Sequence, residues 1–470
     1  MEVDLACAIP NNVGLADKPQ LLALLQSFDR QYRDWWAATG PLATRAASVY
    51  LRAPIGVNAE GWASYAQRPL SEYRWGVFQT PARADKRVLF GARAGQPVWQ
   101  DVPDEHRPYL MHHLVIQGDT EPGSVEQAHR LAAIAPSLYD LRNLVQFSVE
   151  EGRHLWAMVH LLYEYFGAQG RDEAEHLLAR RSGDATAPRL LDAFNEPIDD
   201  WLSHFLWCFL ADRDGKYQLL SVAESAFDPL ARSAQFMLTE EAHHMFIGED
   251  GLRRVVERTL QLMRELDRDD IGAAGGIPLA IIQRYINQWA PRIHDLFGND
   301  ESRRVAEAFD AGLRSRAHES GFAEHQRLDE PVAIERPTRT GIDLVRLPAR
   351  EVLNAVTRQQ WSAEVKLLLT RLNRIIERAG VSFALRLPSE RFNRRFGPFA
   401  GAAYTPEGEP LNANLDGASG SPFLPTDTDR DLLRAVMQPV LEPGRIAGWI
   451  APPARGINSL PALDYDYVRF

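Results

Sequence analysis

Two Glu-x-x-His pairs, Glu151/His154 and Glu241/His244, each follow a lone carboxylate by about thirty residues, and each interval has a proline near its midpoint. In an antiparallel helical hairpin, residues equidistant from the turn face one another. The carboxylate before the first pair is Glu121, and the midpoint falls at Pro136-Ser137. The carboxylate before the second is Asp212, with the midpoint near Phe227-Asp228-Pro229. Both midpoints are natural helix breaks. Two such hairpins bring four carboxylates and two imidazoles to one place inside a four-helix bundle, a ligand set suited to a pair of metal ions.

The chain contains five Glu-x-x-His motifs, so the spacing needs a second criterion, and the apolar face of each helix supplies it. Around Glu151 the residues three, four and seven away include Leu144, Phe147, Leu155 and Met158, whereas Glu150 shares a face with Asn143, Gln146 and Arg153. Around Glu241 the same offsets give Ala234, Met237, Leu238 and Met245, while the Glu240/His243 register carries Ser233, Gly251 and Arg254. Glu173/His176 lies in a charged stretch and reads as a solvated face; Glu126/His129 reads as a later turn of the first helix. Glu224 rivals Asp212, but it is too near the break to reach Glu241. Asp212 shares its face with Phe205, Cys208, Phe209 and Leu219, and a buried Asp there needs a cation or another partner.

Hard carboxylates bridge and neutralise two cations, and one imidazole per metal leaves positions open for dioxygen. Iron and manganese both suit these ligands. Pro122, directly after Glu121, removes a helical hydrogen bond to Gly118 and is expected to bend the helix there. Gln117, one turn earlier, either lines the pocket so opened or is a core-edge amide. A net charge of −11 without a basic run argues against nucleic acid as a partner. Two cysteines, Cys7 and Cys208, are too few for an iron–sulfur cluster and fit a reducing cytoplasm. No window approaches a membrane span, and no GxGxxG or Walker loop marks a flavin or nucleotide site; GAAGGI at 272–277 is a lone glycine cluster.

The expected organisation has three parts. Residues 1–105 form a Trp/Tyr-rich region, helical over 20–80 and loop-like after it, that packs on the bundle. Residues 106–330 form the bundle, and 331–470 a cap. The cap begins with a proline-containing connection (Pro331, Pro337, Pro348) and a helix over 350–379. A small β hairpin follows, pairing 381–385 with 404–411, and then a helix over 428–440.

Several blocks carry a resemblance: SEYRWGVF at 71–78, QGDTEP at 117–122, APSLYDLRNL at 135–144, VEEGRHLWAM at 149–158, DRDGK at 212–216, MLTEEAHHMF at 237–246 and GWIAPPARGIN at 448–458. With them the chain resembles, over nearly its full length, the oxygenase components of benzoyl-CoA 2,3-epoxidases. The resemblance implies a mainly α, ferritin-like four-helix bundle with extra N-terminal helices and a C-terminal cap of loops, helix and small β structure. It implies two Fe ions held by Glu121, Glu151, His154, Asp212, Glu241 and His244, the same six that the hairpin geometry selects. It also implies dioxygen-dependent epoxidation of benzoyl-CoA, with electrons from NADPH through a separate reductase carrying FAD and iron–sulfur clusters. A flavin-free chain needs such a partner. Arg386, Arg391, Arg394 and Arg395, interleaved with Phe392 and Phe396, read first as a solvated basic face and second as candidates for the CoA phosphates. Leu114, Phe147, Met158, Phe205, Phe209 and Met237 are candidates for the ring pocket. Three other readings stay open: a related oxygenase for another acyl-CoA or an arylamine, an iron-storage protein, and a metal-free bundle.

Overall fold

The computed structural model describes residues 1–41, 48–339, 341–411, 422–456 and 467–469. Four long helices make the centre: α2 (Arg107–Ala128), α3 (Leu138–Tyr165), α5 (Trp201–Val222) and α6 (Asp228–Leu266), preceded by α1 (Pro19–Thr39) and with α4 (Gly167–Ala179) between the pairs. The chain is mainly helical, with the bundle fold that the spacing required. The expected breaks are where the helices stop. Ser137 caps α3, its hydroxyl accepting from the Asp140 N–H at 3.1 Å. Phe227 precedes α6, whose first turn contains Pro229. Asp200 caps α5 by accepting from the Ser203 N–H at 2.7 Å. Helix α2 packs on α3 and α5 on α6, and α3 touches α6, which closes the two hairpins against each other. Helix α2 runs unbroken through Pro122.

Helix α3 is buried on all sides from Leu138 to Tyr163. One hydrophobic core extends from Ile9 through the bundle to Trp361, Trp449 and Val468, so the N-terminal and C-terminal segments share the bundle's interior. Helices α7 (Leu279–Leu296), α8 (Arg303–Asp310) and α9 (Leu353–Arg378) extend the helical body, and α10 (Asp427–Val436) begins with a Thr426/Asp429 capping box. Among the described residues no helix is long and apolar enough to cross a membrane.

The β structure is elsewhere than expected. Residues 48–69, read as helical, form an antiparallel hairpin of β1 (Ser48–Val57) and β2 (Ala63–Pro69), with β5 (Val468–Arg469) on the other edge of β1. Val49 and Leu51 alternate inward along β1, and Gly61 takes a φ of 90° beside the turn. Aromatic and β-branched residues suit strands as readily as an aromatic-rich helix, so composition misled. The proline-containing connection is also a hairpin, β3 (Pro331–Pro337) with β4 (Ile342–Pro348). Its three prolines are terminal strand residues, where a missing N–H does little harm to the ladder.

The expected pairing of 381–385 with 404–411 does not form; Tyr404 only bridges Pro410. Side-chain amides take the place of a partner strand. Asn373 of α9 accepts from the Leu385 N–H at 2.8 Å and donates to its carbonyl at 2.9 Å. Gln283 of α7 does the same for Arg386, at 2.8 and 2.9 Å. Residues 457 and 458, the end of the last resemblance block, lie outside the described residues.

Candidate metal centre

All six expected side chains are buried in the bundle. From α2 and α3, ligand atoms of Glu121, Glu151 and His154 lie within 4.8 Å of one another. His154 Nδ1 is 3.5 Å from Glu121 Oε2 and 3.6 Å from Glu241 Oε1. His244 Nδ1 is 3.4 Å from Glu151 Oε1 and 3.6 Å from Glu241 Oε2. The two oxygens of Glu241 thus address one imidazole each. Asp212 stands further back, making no ion pair with either histidine among the described residues.

These groups lack ordinary partners. Both ring nitrogens of His154 and of His244, Glu241 Oε2 and Asp212 Oδ2 are buried without a hydrogen-bond partner. Orphaned polar atoms at this density are costly and call for a ligand. Burial raises the Glu151 carboxyl well above the usual range, and the charges of Glu121, Asp212 and Glu241 raise it further. Burial pushes Asp212 up to about 7, with Glu241 adding to the effect and His244 opposing it. Burial works against ionised imidazoles too, but Glu121 and Glu240 bring His154 up to about 9, and Glu150 and Glu241 bring His244 up to about 10. Protons hold the acid cluster together here, and cations can take their place.

Each imidazole turns its other nitrogen outward. His154 Nε2 is 3.3 Å from Glu240 Oε2, and His244 Nε2 is 3.3 Å from Glu150 Oε2. Each histidine therefore faces the glutamate that precedes the candidate ligand on the opposite helix. Arg153 Nε donates to Glu240 at 2.9 Å, while Glu150 accepts from Arg52 at 2.6 Å and Gln146 at 2.7 Å. His243 Nδ1 lies 2.9 Å from Glu150, so Glu150, His243 and His244 also lie close enough to suggest a metal site. Arg52 and Gln146 both donate to Oε1 of that carboxylate, fixing its position, while Oε2 faces the two histidines.

The sequence reading placed Glu150 and Glu240 on polar faces pointing away from the core; both are completely buried. The polar face of α3 packs against β1, where Arg52 meets it. The signal was present in the doubled glutamates of VEEGRH and TEEAHH. Glu126 is paired with Arg189 at 2.7 Å and His129 faces the Gly40 carbonyl at 2.8 Å, so neither joins the cluster.

A cavity of about 360 Å³ opens beside the cluster. Gln117 lines it and donates from Nε2 to Glu121 Oε1 at 2.8 Å. Gly215 lines it from α5, at a point where a Cβ would stand 3.7 Å from Glu241 Oε1. Ile116, Leu191, Phe194 and Phe297 supply apolar wall, and Arg304 and Arg314 supply charge. The six apolar residues named as ring-pocket candidates, which could equally be core, belong to the hydrophobic core and do not line this cavity. Three of the four arginines expected at phosphates are committed elsewhere: Arg391 to Glu335 at 2.5 Å, Arg394 to Asp295 at 2.6 Å and Arg395 to Asp192 at 2.7 Å. Arg386 is exposed, and Phe392 is buried.

A helical bundle that gathers carboxylates and two histidines around one buried point could hold metal between facing helices, as some bundle proteins do. No protein-family profile matches the chain. It is 45% identical over 466 residues to the benzoyl-CoA oxygenase component B of Aromatoleum evansii, with 98% of both chains covered. The chain belongs to the benzoyl-CoA oxygenase component B family.

Proposed function

We propose that the protein is the oxygenase component of a di-iron monooxygenase that converts benzoyl-CoA to its 2,3-epoxide. Electrons come from NADPH through a separate flavin and iron–sulfur reductase; the relative's name, a component B, supports a partner. Glu121, Glu151, His154, Glu241 and His244, with Asp212 behind them, are the residues that would hold the two irons. The observation that carries this reading is the pair of orphaned Nδ1 atoms facing the two oxygens of Glu241. Bound iron supplies the binding and reductive activation of dioxygen.

The chain's own groups do the rest. With metal on Nδ1, Glu240 and Glu150, each 3.3 Å from the Nε2 of His154 and His244 respectively, would accept from that nitrogen and hold the ring in place. Gln117 orients Glu121 and presents its amide to the cavity. The apolar wall holds the ring beside the cluster and excludes water, and Arg304 and Arg314 at the same cavity attract the CoA phosphates.

Iron analysis of the purified protein should find about two irons per chain. Oxygen uptake by the chemically reduced protein should then depend on benzoyl-CoA, with a product one oxygen heavier. Uptake with another acyl-CoA or an arylamine, and none with benzoyl-CoA, would replace the substrate and keep the centre. Iron binding with no substrate-dependent uptake would favour iron storage.

A further inference from the structure

Gly152, directly after Glu151, has no room for a side chain. A Cβ there would stand 2.1 Å from the Tyr32 hydroxyl and 2.7 Å from Trp75 Nε1. The helix that carries Glu151 and His154 is thus pared down to let an indole touch its backbone. From Trp75 the aromatic contacts continue outward: ring centroids are 4.8 Å apart for Trp75 and Trp36, 4.8 Å for Trp75 and Tyr32, and 5.4 Å for Trp75 and Tyr73. Trp36, on α1, is only half-buried and meets solvent.

Packing alone does not account for these residue types. Trp75 Nε1, Tyr32 Oη and Tyr73 Oη are buried without hydrogen-bond partners. Each orphaned N–H or O–H costs folding free energy that a phenylalanine in the same space would not. The chain keeps oxidisable rings at a position where inert ones would fold better.

We propose that Trp75 and Trp36 form an escape route for oxidising equivalents from the metal centre, used when the centre reacts with dioxygen and no ring occupies the cavity; this rests on the di-iron reading above. Indoles yield an electron only to a strong oxidant, so the route carries holes outward and does not serve a reductase's electrons coming in. The Arg153 guanidinium sits 5.6 Å from the centre of the Tyr73 ring and disfavours a hole there, and the Tyr32 hydroxyl has no hydrogen-bond partner to take the proton its oxidation would release, which leaves Trp75 as the first stop. Reducing one dioxygen to two waters takes four electrons and four protons. Two electrons come from the reductase, and two leave Trp75 one at a time. Each is replaced from Trp36, and Trp36 is refilled by a thiol in solution. Two thiols become one disulfide and release two protons, and solvent provides the other two.

The test uses the iron-loaded full chain, chemically reduced and then mixed with oxygen without acyl-CoA, in the presence of catalase. Rapid-freeze EPR should show an indole radical, and peptide mass mapping should find oxidation concentrated at Trp36. Added thiol should suppress both signals. Trp75→Phe should reduce Trp36 oxidation to the level of the iron-free protein and move damage inward to residues beside the cluster, such as Met158. Trp36→Phe, on the surface helix, should lengthen the life of the radical at Trp75 and serves if the Trp75 variant folds poorly. An iron-loaded protein that consumes oxygen yet shows no indole radical overturns this inference alone. Trp36 oxidation unchanged in Trp75→Phe does the same. A chain that binds no iron overturns the functional reading along with it.

Discussion

Glu150 and Glu151 are neighbours in the chain and both are buried, yet they are treated in opposite ways. Glu150 accepts from Arg52 and Gln146 and lies against His243. Glu151 faces other carboxylates and the bare Nδ1 of His244. The same contrast holds on α6, where Glu240 is locked to Arg153 while Glu241 Oε2 has no partner. Successive helical residues point about 100° apart, so a doubled glutamate serves two environments at once. The outer acid is satisfied by protein and the inner acid is not; under the proposed function a cation takes that place. The protein thus spends its buried arginines where charge must be fixed and withholds them where charge must be exchanged.

The largest effect should come from removing an inner acid. Glu241→Ala deletes the carboxylate shared by both histidines, and iron content and oxygenase activity should fall more than about a hundredfold while circular dichroism keeps its helical signature. If the variant keeps its iron, the inner and outer roles are reversed and the site belongs to Glu240/His243.

Removing an outer partner should act on the fold first. Arg153→Met leaves Glu240 buried and unpaired, a loss of about 3–5 kcal/mol of stability by denaturant melt. Glu240→Gln is gentler. It keeps the shape but weakens the acceptor behind His154, and iron affinity should drop about 10- to 100-fold with little change in melting temperature. The two variants together separate the structural duty of the outer acid from its orienting duty.

The pH response divides the same way. In the iron-free protein His154 and His244 are raised to about 9 and about 10, above an unfolded value near 6.5. The folded state then holds more protons than the unfolded one between those limits, so this contribution is full below pH ~6.5 and is lost as pH rises through 9–10. Asp212, raised to about 7, subtracts stability in the same direction between its unfolded value of 3.8 and neutrality. Iron binding has the opposite slope, since protons compete for the same atoms. Calorimetric scans should show the iron-free protein losing stability from mildly acidic to alkaline pH, and titrations should show iron affinity rising. Parallel slopes would mean that the metal binds elsewhere.

The inner and outer layers also differed in how far sequence revealed them. The burial of the six side chains in one bundle could be read because hairpin geometry ties spacing to position: Glu121 comes close to Glu151, with Ser137 capping between. The outer layer escaped because helical periodicity assumes that a polar face meets water, and α3 has no such face. Arg52 comes from a strand about a hundred residues upstream, in a segment read as helix, so nothing local announced it. Proline was informative at helix ends and uninformative in the cap, where Pro331 and Pro348 are paired with each other at the open end of a hairpin. The segment at 381–385 read as a strand from its residue types, but Leu385 and the Arg386 that follows it are held by the side chains of Asn373 and Gln283, which no backbone pattern encodes.

The smallest predicted effect extends the contrast to the arginines. Arg391 is satisfied by Glu335 and the Gly408 carbonyl, as Glu150 is by Arg52. Arg314 lines the cavity beside Gln117 and donates to the Gln218 side chain at 3.0 Å, a neutral partner; Asp214 in the same cavity feels its charge, but among the described residues no carboxylate forms an ion pair with it. A phosphate is held by free positive charge, so Arg314→Ala should raise the KM for the CoA thioester by about tenfold, some 1.4 kcal/mol, with kcat nearly unchanged. Arg391→Ala should shift KM by less than about twofold, because its guanidinium is already neutralised, and should register only as a modest loss of stability at the cap. Steady-state kinetics on the two variants compare a committed cation with an available one. A larger KM effect at Arg391 than at Arg314 would move the phosphate site from the bundle cavity to the cap, and the ring would then need another way to reach the cluster.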